Sequence, residues 1–236
     1  VLQTFLGIIA FVGVWAMEES LNPQSPPDFR EVATSYLRLL RNRRYFSLLL
    51  TLSYTCVPVF AFIGSSAEIY INHYGYNEQQ YGYFFGFNAL AFVLAPLAFT
   101  HMVRRLPLIR LMPLAFTGML LCSLLLLCPW LGEPWRLTLP MFGLTFCFSF
   151  CRPAGNNLIL EQVDRDAGAA SSLMVFFYFM IGALAMWFLS FAWADKVVML
   201  GAMGVVAVSC TLVSWQLVKG RITAVAADQG RGAAGV

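Results

Sequence analysis

The sequence predicts an all-α membrane protein, and three observations carry that reading. Hydrophobic residues make up 59% of the 236-residue chain and charged residues only 11%, about half the charged share of an ordinary soluble domain. Mean hydropathy is +0.71. The apolar residues are gathered into long runs nearly free of charge, of the length that crosses a ~30 Å hydrocarbon core. So few charges cannot cover a soluble surface, and so much apolar surface excludes disorder over most of the length. The net charge of +3 implies no nucleic-acid partner, because the basic residues sit at the ends of the apolar runs.

Seven runs qualify, at 1–17, 46–71, 81–102, 109–131, 137–159, 169–193 and 197–218. The first starts at Val1 without a Met, and its rise of ~25 Å is short for a span. It reads as a truncated helix. A signal peptide would need a basic n-region and a small-residue cleavage site, whereas Trp15-Ala-Met-Glu-Glu-Ser20 follows here. Residues 18–45 form a polar linker. Within it Asn22-Pro-Gln-Ser-Pro-Pro27 is rich in breakers, and Asp28 with Glu31 is spaced to cap a helix. Phe29, Val32, Tyr36, Leu39 and Leu40 then share one face, opposite Arg30, Thr34, Arg38 and Arg41. Such a basic amphipathic helix would lie along the headgroups; the alternative is the solvated start of the next span. Residues 46–218 form a six-helix transmembrane bundle, and 219–236 a tail expected to be disordered from Ile222.

Basic residues orient the spans. Arg30, Arg38, Arg41, Arg43 and Arg44 follow the first run, Arg104, Arg105 and Arg110 the third, Arg165 the fifth, and Lys219, Arg221 and Arg231 the seventh. Alternate loops therefore hold twelve of the 15 basic residues. Those loops face the cytoplasm, so the C-terminus is cytoplasmic.

Small residues mark places where helices can approach closely: Gly82 and Gly86 as a GxxxG, Gly168-Ala-Ala-Ser-Ser172, and Gly201 with Gly204. Charges at membrane depth are more telling, since each costs a few kcal/mol on insertion scales. Arg152 lies about seven residues inside its span and precedes Pro153, which predicts a kink. Asn156 falls on the same face one turn later, next to Asn157. Arg152 and Asn156 therefore either border a polar cavity or gate, or Arg152 snorkels to the phosphates. Glu68, near the far end of its span, could take up a proton or meet a cationic substrate, or could sit in interfacial water. Tyr54, Thr55, Pro58 and Asn88 are further cavity candidates, each equally readable as a packing or interhelical hydrogen-bonding residue.

His73 and His101 fall at opposite boundaries and cannot share a metal. The six cysteines contain no CxxC and read as small packing residues. Without a phosphate loop, HExxH or GxSxG, no enzyme, cofactor or metal is expected.

Several stretches resemble the C-terminal half of a major facilitator superfamily transporter, and more narrowly the bicyclomycin-resistance (Bcr/CflA-type) drug–proton antiporters. They are Leu39-Leu-Arg-Asn-Arg-Arg-Tyr-Phe46, Tyr74-Gly-Tyr-Asn-Glu-Gln-Gln-Tyr-Gly82 with Tyr83-Phe-Phe-Gly-Phe-Asn88, Val103-Arg-Arg-Leu-Pro107, and Asn157-Leu-Ile-Leu-Glu161 with Ala167-Gly-Ala-Ala-Ser-Ser-Leu173 and Ile181-Gly-Ala-Leu184. The last is the most specific. The resemblance covers about residues 30–220. It implies helix six plus a C-terminal six-helix bundle built as two inverted three-helix repeats, about 46–131 and 137–218, holding a substrate at the midplane. It further implies a bacterial inner-membrane protein that exports amphipathic drugs against protons. Its partners would be a small-molecule substrate, membrane lipid and a missing N-terminal half, with the proton gradient as energy source. Two positions depart from the family pattern: Ala67-Glu68 replaces its Pro-Phe, and Arg152 replaces a small residue or Asn, which alters the expected substrate preference. A complete seven-helix receptor and a non-transporting membrane subunit are the alternatives. The receptor reading lacks a Lys in the last span for a retinal link, an Asp-Arg-Tyr and an Asn-Pro-x-x-Tyr.

Overall fold

The computed structural model describes residues 2–15, 29–129, 132–163 and 166–233. All regular structure among the described residues is helical. Residues 1–34 and 35–236 form two separate units. In the first, α1 (Leu2–Trp15) is apolar over its 14 described residues. α2 (Phe29–Arg41) begins in the same unit. The expected linker at 22–27 and the Asp28 cap lie outside the described residues.

The second unit carries α3 (Arg43–Ser53), α4 (Cys56–Ala67), α5 (Glu78–Met102), α6 (Leu108–Leu127), α7 (Trp135–Leu160), α8 (Ala167–Leu189) and α9 (Lys196–Ala233). Asn42 decides where α2 ends. Its backbone is extended, and its side-chain oxygen accepts from the Arg44 and Tyr45 amides, which starts α3. α2 is therefore a helix of its own, as its amphipathic pattern predicts, and not the first turns of a span. α3 and α4 are two parts of one membrane crossing, interrupted at Tyr54 and Thr55. Pro58 has no N–H to offer the carbonyl one turn back, which accounts for the break. Beyond α4 the helix widens into a π turn over Glu68–His73.

Among the described residues, five helical stretches are long and apolar enough to cross a membrane: Arg43–His73, Glu78–Met102, Leu108–Leu127, Ala167–Leu189 and Lys196–Lys219. The sequence reading counted two more. The described part of α1 is shorter than a span, and α7 has the length but not the hydropathy, because Arg136, Arg152, Asn156 and Asn157 interrupt its apolar surface. α7 is also buried along most of its length. Its neighbours, rather than lipid, receive its side chains.

The packing pairs the two predicted repeats crosswise. α5, second in the first triplet, packs on α7, first in the second triplet; α8 packs reciprocally on α4. The third members, α6 and α9, pack on each other. That exchange is what two inverted three-helix repeats produce. The α4–α8 contact is close enough that a Cβ on Gly182 would lie 2.4 Å from the Phe60 ring. At α6–α9, a Cβ on Gly204 would meet the Ser123 hydroxyl at 2.5 Å. In a lipid solvent, such approach replaces the hydrophobic drive that assembles soluble bundles.

Two expectations need correction. Gly82 and Gly86 make no tight contact: an added Cβ at either would meet nothing within 4 Å among the described residues. The tail from Ile222 is not irregular but continues α9 to Ala233, helped by the high helix propensity of Ala224, Ala226 and Ala227. α7 stays helical through Arg152 and Pro153, as a helix kinked at a proline can. Packing by α5 and α6 on its flanks outweighs the local preference of a pre-proline residue for extended backbone.

At the end rich in arginine, the second half of α2 is tied to the start of α8. Arg38 pairs with Asp166 at 3.3 Å, the Tyr36 and Ser172 hydroxyls lie 2.8 Å apart, and Asn42 donates to the Gln162 carbonyl. Tyr45, fully buried, donates to the Ala170 carbonyl at 2.7 Å. The Arg38 pair is exposed, so Arg38→Ala should change stability by no more than ~1 kcal/mol. Tyr45→Phe removes a buried hydrogen bond and should cost about 0.5–1.5 kcal/mol. Thermal unfolding in detergent would rank them, and an Arg38 effect equal to that of Tyr45 would contradict this assignment.

Candidate functional site

The candidate site is built on α7 and α8 around Arg152. In a helix, a long side chain leans back toward the N-terminal turn. Arg152 accordingly reaches over Phe148, with its guanidinium carbon 5.4 Å from that ring centroid. Tyr178, buried at the middle of α8, presents a second ring face at 4.8 Å. Phe148 is itself held by an edge-on contact with Phe92. The Tyr178 hydroxyl donates to the Asn156 side-chain oxygen at 3.2 Å, so Arg152, Asn156 and Tyr178 form one constellation.

The direction of Arg152 separates its two sequence readings. Phe148 lies at the midpoint of α7, so a guanidinium above it points toward the helix centre. Snorkelling would carry it toward the nearer helix end. Arg152 opens instead on a crevice of about 10 Å³ bordered by Leu52, Thr55, Phe148, Gly155 and Tyr178, roughly the room one water needs.

The electrostatics of this placement are unbalanced. Ion pairs among the described residues include Arg38–Asp166, Arg136–Asp195 and Lys196–Glu68. None reaches Arg152, and no described residue accepts a hydrogen bond from it. Arginine cannot shed its proton, and placing it mid-span costs about 2.5–3.5 kcal/mol on insertion scales. Each ring face returns roughly 0.5–2 kcal/mol. The rings thus offset much of the charge penalty, and the guanidinium, which is part-buried, has N–H groups with no acceptor among the described residues.

The other three predicted site residues lie elsewhere. Asn88, on α5, is buried against α7, where Thr145 donates to its side-chain oxygen at 3.0 Å while its NH2 has no partner. Thr145→Val should cost about 1–3 kcal/mol by leaving Asn88 wholly unpaired, and adding Asn88→Leu should recover most of it. Additive losses on thermal unfolding would contradict that pairing. Tyr54 is half-buried beside an apolar groove of about 430 Å³ with Val57, Phe188, Met199 and Met203, away from Arg152. Glu68 sits at the opposite end of the bundle, half-exposed, with Lys196 at 2.6 Å. Its charge is met within the chain. It borders a separate cavity of about 230 Å³ with Asn72, His73 and Trp193.

That opposite end is densely polar and aromatic. The buried Tyr70 hydroxyl shares a hydrogen bond with Thr138 at 2.7 Å, and Arg136 pairs with Asp195 at 3.3 Å. Burial, reinforced by the nearby Glu133 carboxylate, pushes the Tyr74 phenol well above its ordinary value. Among the described residues no group of three potential metal ligands comes together.

Phe148 could have been found from sequence, because it stands four residues before Arg152 on the same helix face. Tyr178 and Thr145 carry no such signal; only the packing brings them to Arg152 and Asn88.

The family model of the Major Facilitator Superfamily matches residues 1–186, from α1 through most of α8. A search of curated proteins returns no match. The match spans well over half of the chain, and it agrees with the apolar spans and their crosswise packing: this chain belongs to the Major Facilitator Superfamily of membrane transporters.

Proposed function

We propose that the protein exports amphipathic small molecules in exchange for protons, with Arg152 and Asn156 bordering the substrate path. The observation that carries this reading is the cation held mid-span between two aromatic faces, in a bundle of transporter type. A purely structural helix has no use for an uncompensated guanidinium at its centre. The resemblance of 157–184 to drug–proton antiporters supports the direction and the coupling. Glu68 is the only carboxylate within the described apolar spans away from a helix start, and Lys196 already neutralises it. In this reading the proton is therefore carried in a companion bundle. The crosswise pairing of two triplets supports one six-span bundle working against a second, with substrate between them. Neither a cofactor nor a metal is part of the mechanism; the proton gradient supplies the energy. The resemblance supports a bacterial inner membrane, and the distribution of Arg and Lys supports placing the arginine-rich loops and the C-terminus in the cytoplasm.

The test is drug accumulation in cells expressing the full-length transporter, with and without a proton-gradient uncoupler. Lower accumulation that the uncoupler abolishes is the expected result. Unchanged accumulation across several drug classes, with the protein confirmed in the membrane, would remove drug export from this reading.

A further inference from the structure

We propose that Arg152 is the anchor for a carboxylate on the substrate, so that this site selects aromatic organic anions over neutral or cationic amphipaths. The inference rests on the transport reading above and names the substrate class for the same site.

The argument begins with what is missing around the guanidinium. Its neighbours Phe148 and Tyr178 supply negative ring faces but no lone pairs in its plane. A carboxylate accepts two N–H bonds from a guanidinium at once, and that geometry is the strongest available complement. Tyr178 holds Asn156 by its oxygen, which leaves the Asn156 NH2 as a further donor on the same side. The crevice, with room for about one water, is too narrow for a ring beside the guanidinium. One carboxylate oxygen can take that water's place beside Arg152 while the rest of the ligand lies outside, against the aromatic surface. A cationic drug would meet uncompensated positive charge at the helix centre. An acidic side chain from a companion bundle is the competing source of negative charge, and it predicts no preference for anionic ligands.

The experiment is calorimetric titration of the purified full-length protein in detergent with benzoate, 1-naphthoate and 4-biphenylcarboxylate, each paired with its methyl ester. At least one acid should bind tenfold or more tightly than its ester. Arg152→Gln should erase that ratio, and Arg152→Lys should retain part of it. Equal affinities for all three pairs in the native protein would overturn the proposal without any variant. A preference that persists in Arg152→Gln would overturn it as well. Uncoupler-sensitive export is measured separately on the same preparations of cells. Charge-selective binding without export keeps the anion site and sinks the transport reading; export without charge selectivity does the reverse.

Discussion

Arg152→Ala should lower drug export at least tenfold while leaving the amount of protein in the membrane unchanged. The expectation follows from the position of the charge. Arg152 makes no ion pair or hydrogen bond within the described residues, so removing it breaks little that holds the bundle together. What is lost are two contacts with ring faces, together worth at most a few kcal/mol, and the loss is offset by no longer holding a cation at membrane depth. Any functional loss would then come from the substrate path. Tyr178→Phe makes a graded comparison: it keeps the ring face 4.8 Å from Arg152 but releases Asn156. Its loss of export should be smaller than that of Arg152→Ala. Normal export by Arg152→Ala would remove Arg152 from the path, and a matching loss of protein from the membrane would make its role structural.

Gly182→Val should be the most damaging single change to the fold. A Cβ at Gly182 would fall 2.4 Å from Phe60 Cδ1 and 2.6 Å from Cγ. Because Cγ is at the base of the ring, the ring cannot swing clear without moving its backbone. Overpacking of a tight contact costs about 1–3 kcal/mol, and a branched residue belongs at the upper end. The α4–α8 contact joins the two triplets, so the loss should appear as a lower unfolding temperature and reduced export together. Phe60→Ala combined with Gly182→Val should recover part of the stability, since residues in contact are not additive. Gly86→Ala is the control, with nothing within 4 Å of its added Cβ. A Gly182→Val protein as stable as the parent would contradict the α4–α8 packing described above.

The spans were legible in the sequence because lipid imposes a simple length and hydropathy rule on each helix separately. The boundary at Asn42 was visible in outline from the amphipathic face that ends near Leu40. α7 was legible as a helix, but its central burial was not, since its polar residues speak only when one knows which neighbours surround them. The glycines show the same limit. Gly82 and Gly86 have the spacing of a packing motif, yet an added Cβ at either meets nothing within 4 Å among the described residues, whereas Gly182 stands outside any such motif and is pressed against Phe60. Spacing says that a close approach is possible; only the partner's surface decides whether it occurs. Arg152 and Asn156 were legible as candidates because a charge in a span is costly wherever it lands. Which way Arg152 turned was not legible, and Tyr178, supplied by another helix, was beyond reach.

The central claim is that Arg152 and Asn156 border a path that water and substrate enter. Cysteine accessibility tests it most directly, using the protein with Cys56, Cys122, Cys128, Cys147, Cys151 and Cys210 replaced. Arg152→Cys and Asn156→Cys should react with a water-soluble maleimide during transport, and a transported substrate should slow that reaction. Leu184→Cys, on the exposed face of α8, should stay unlabelled in lipid. Unreactive cysteines at both 152 and 156, in a protein that still exports, would place the path elsewhere in the bundle.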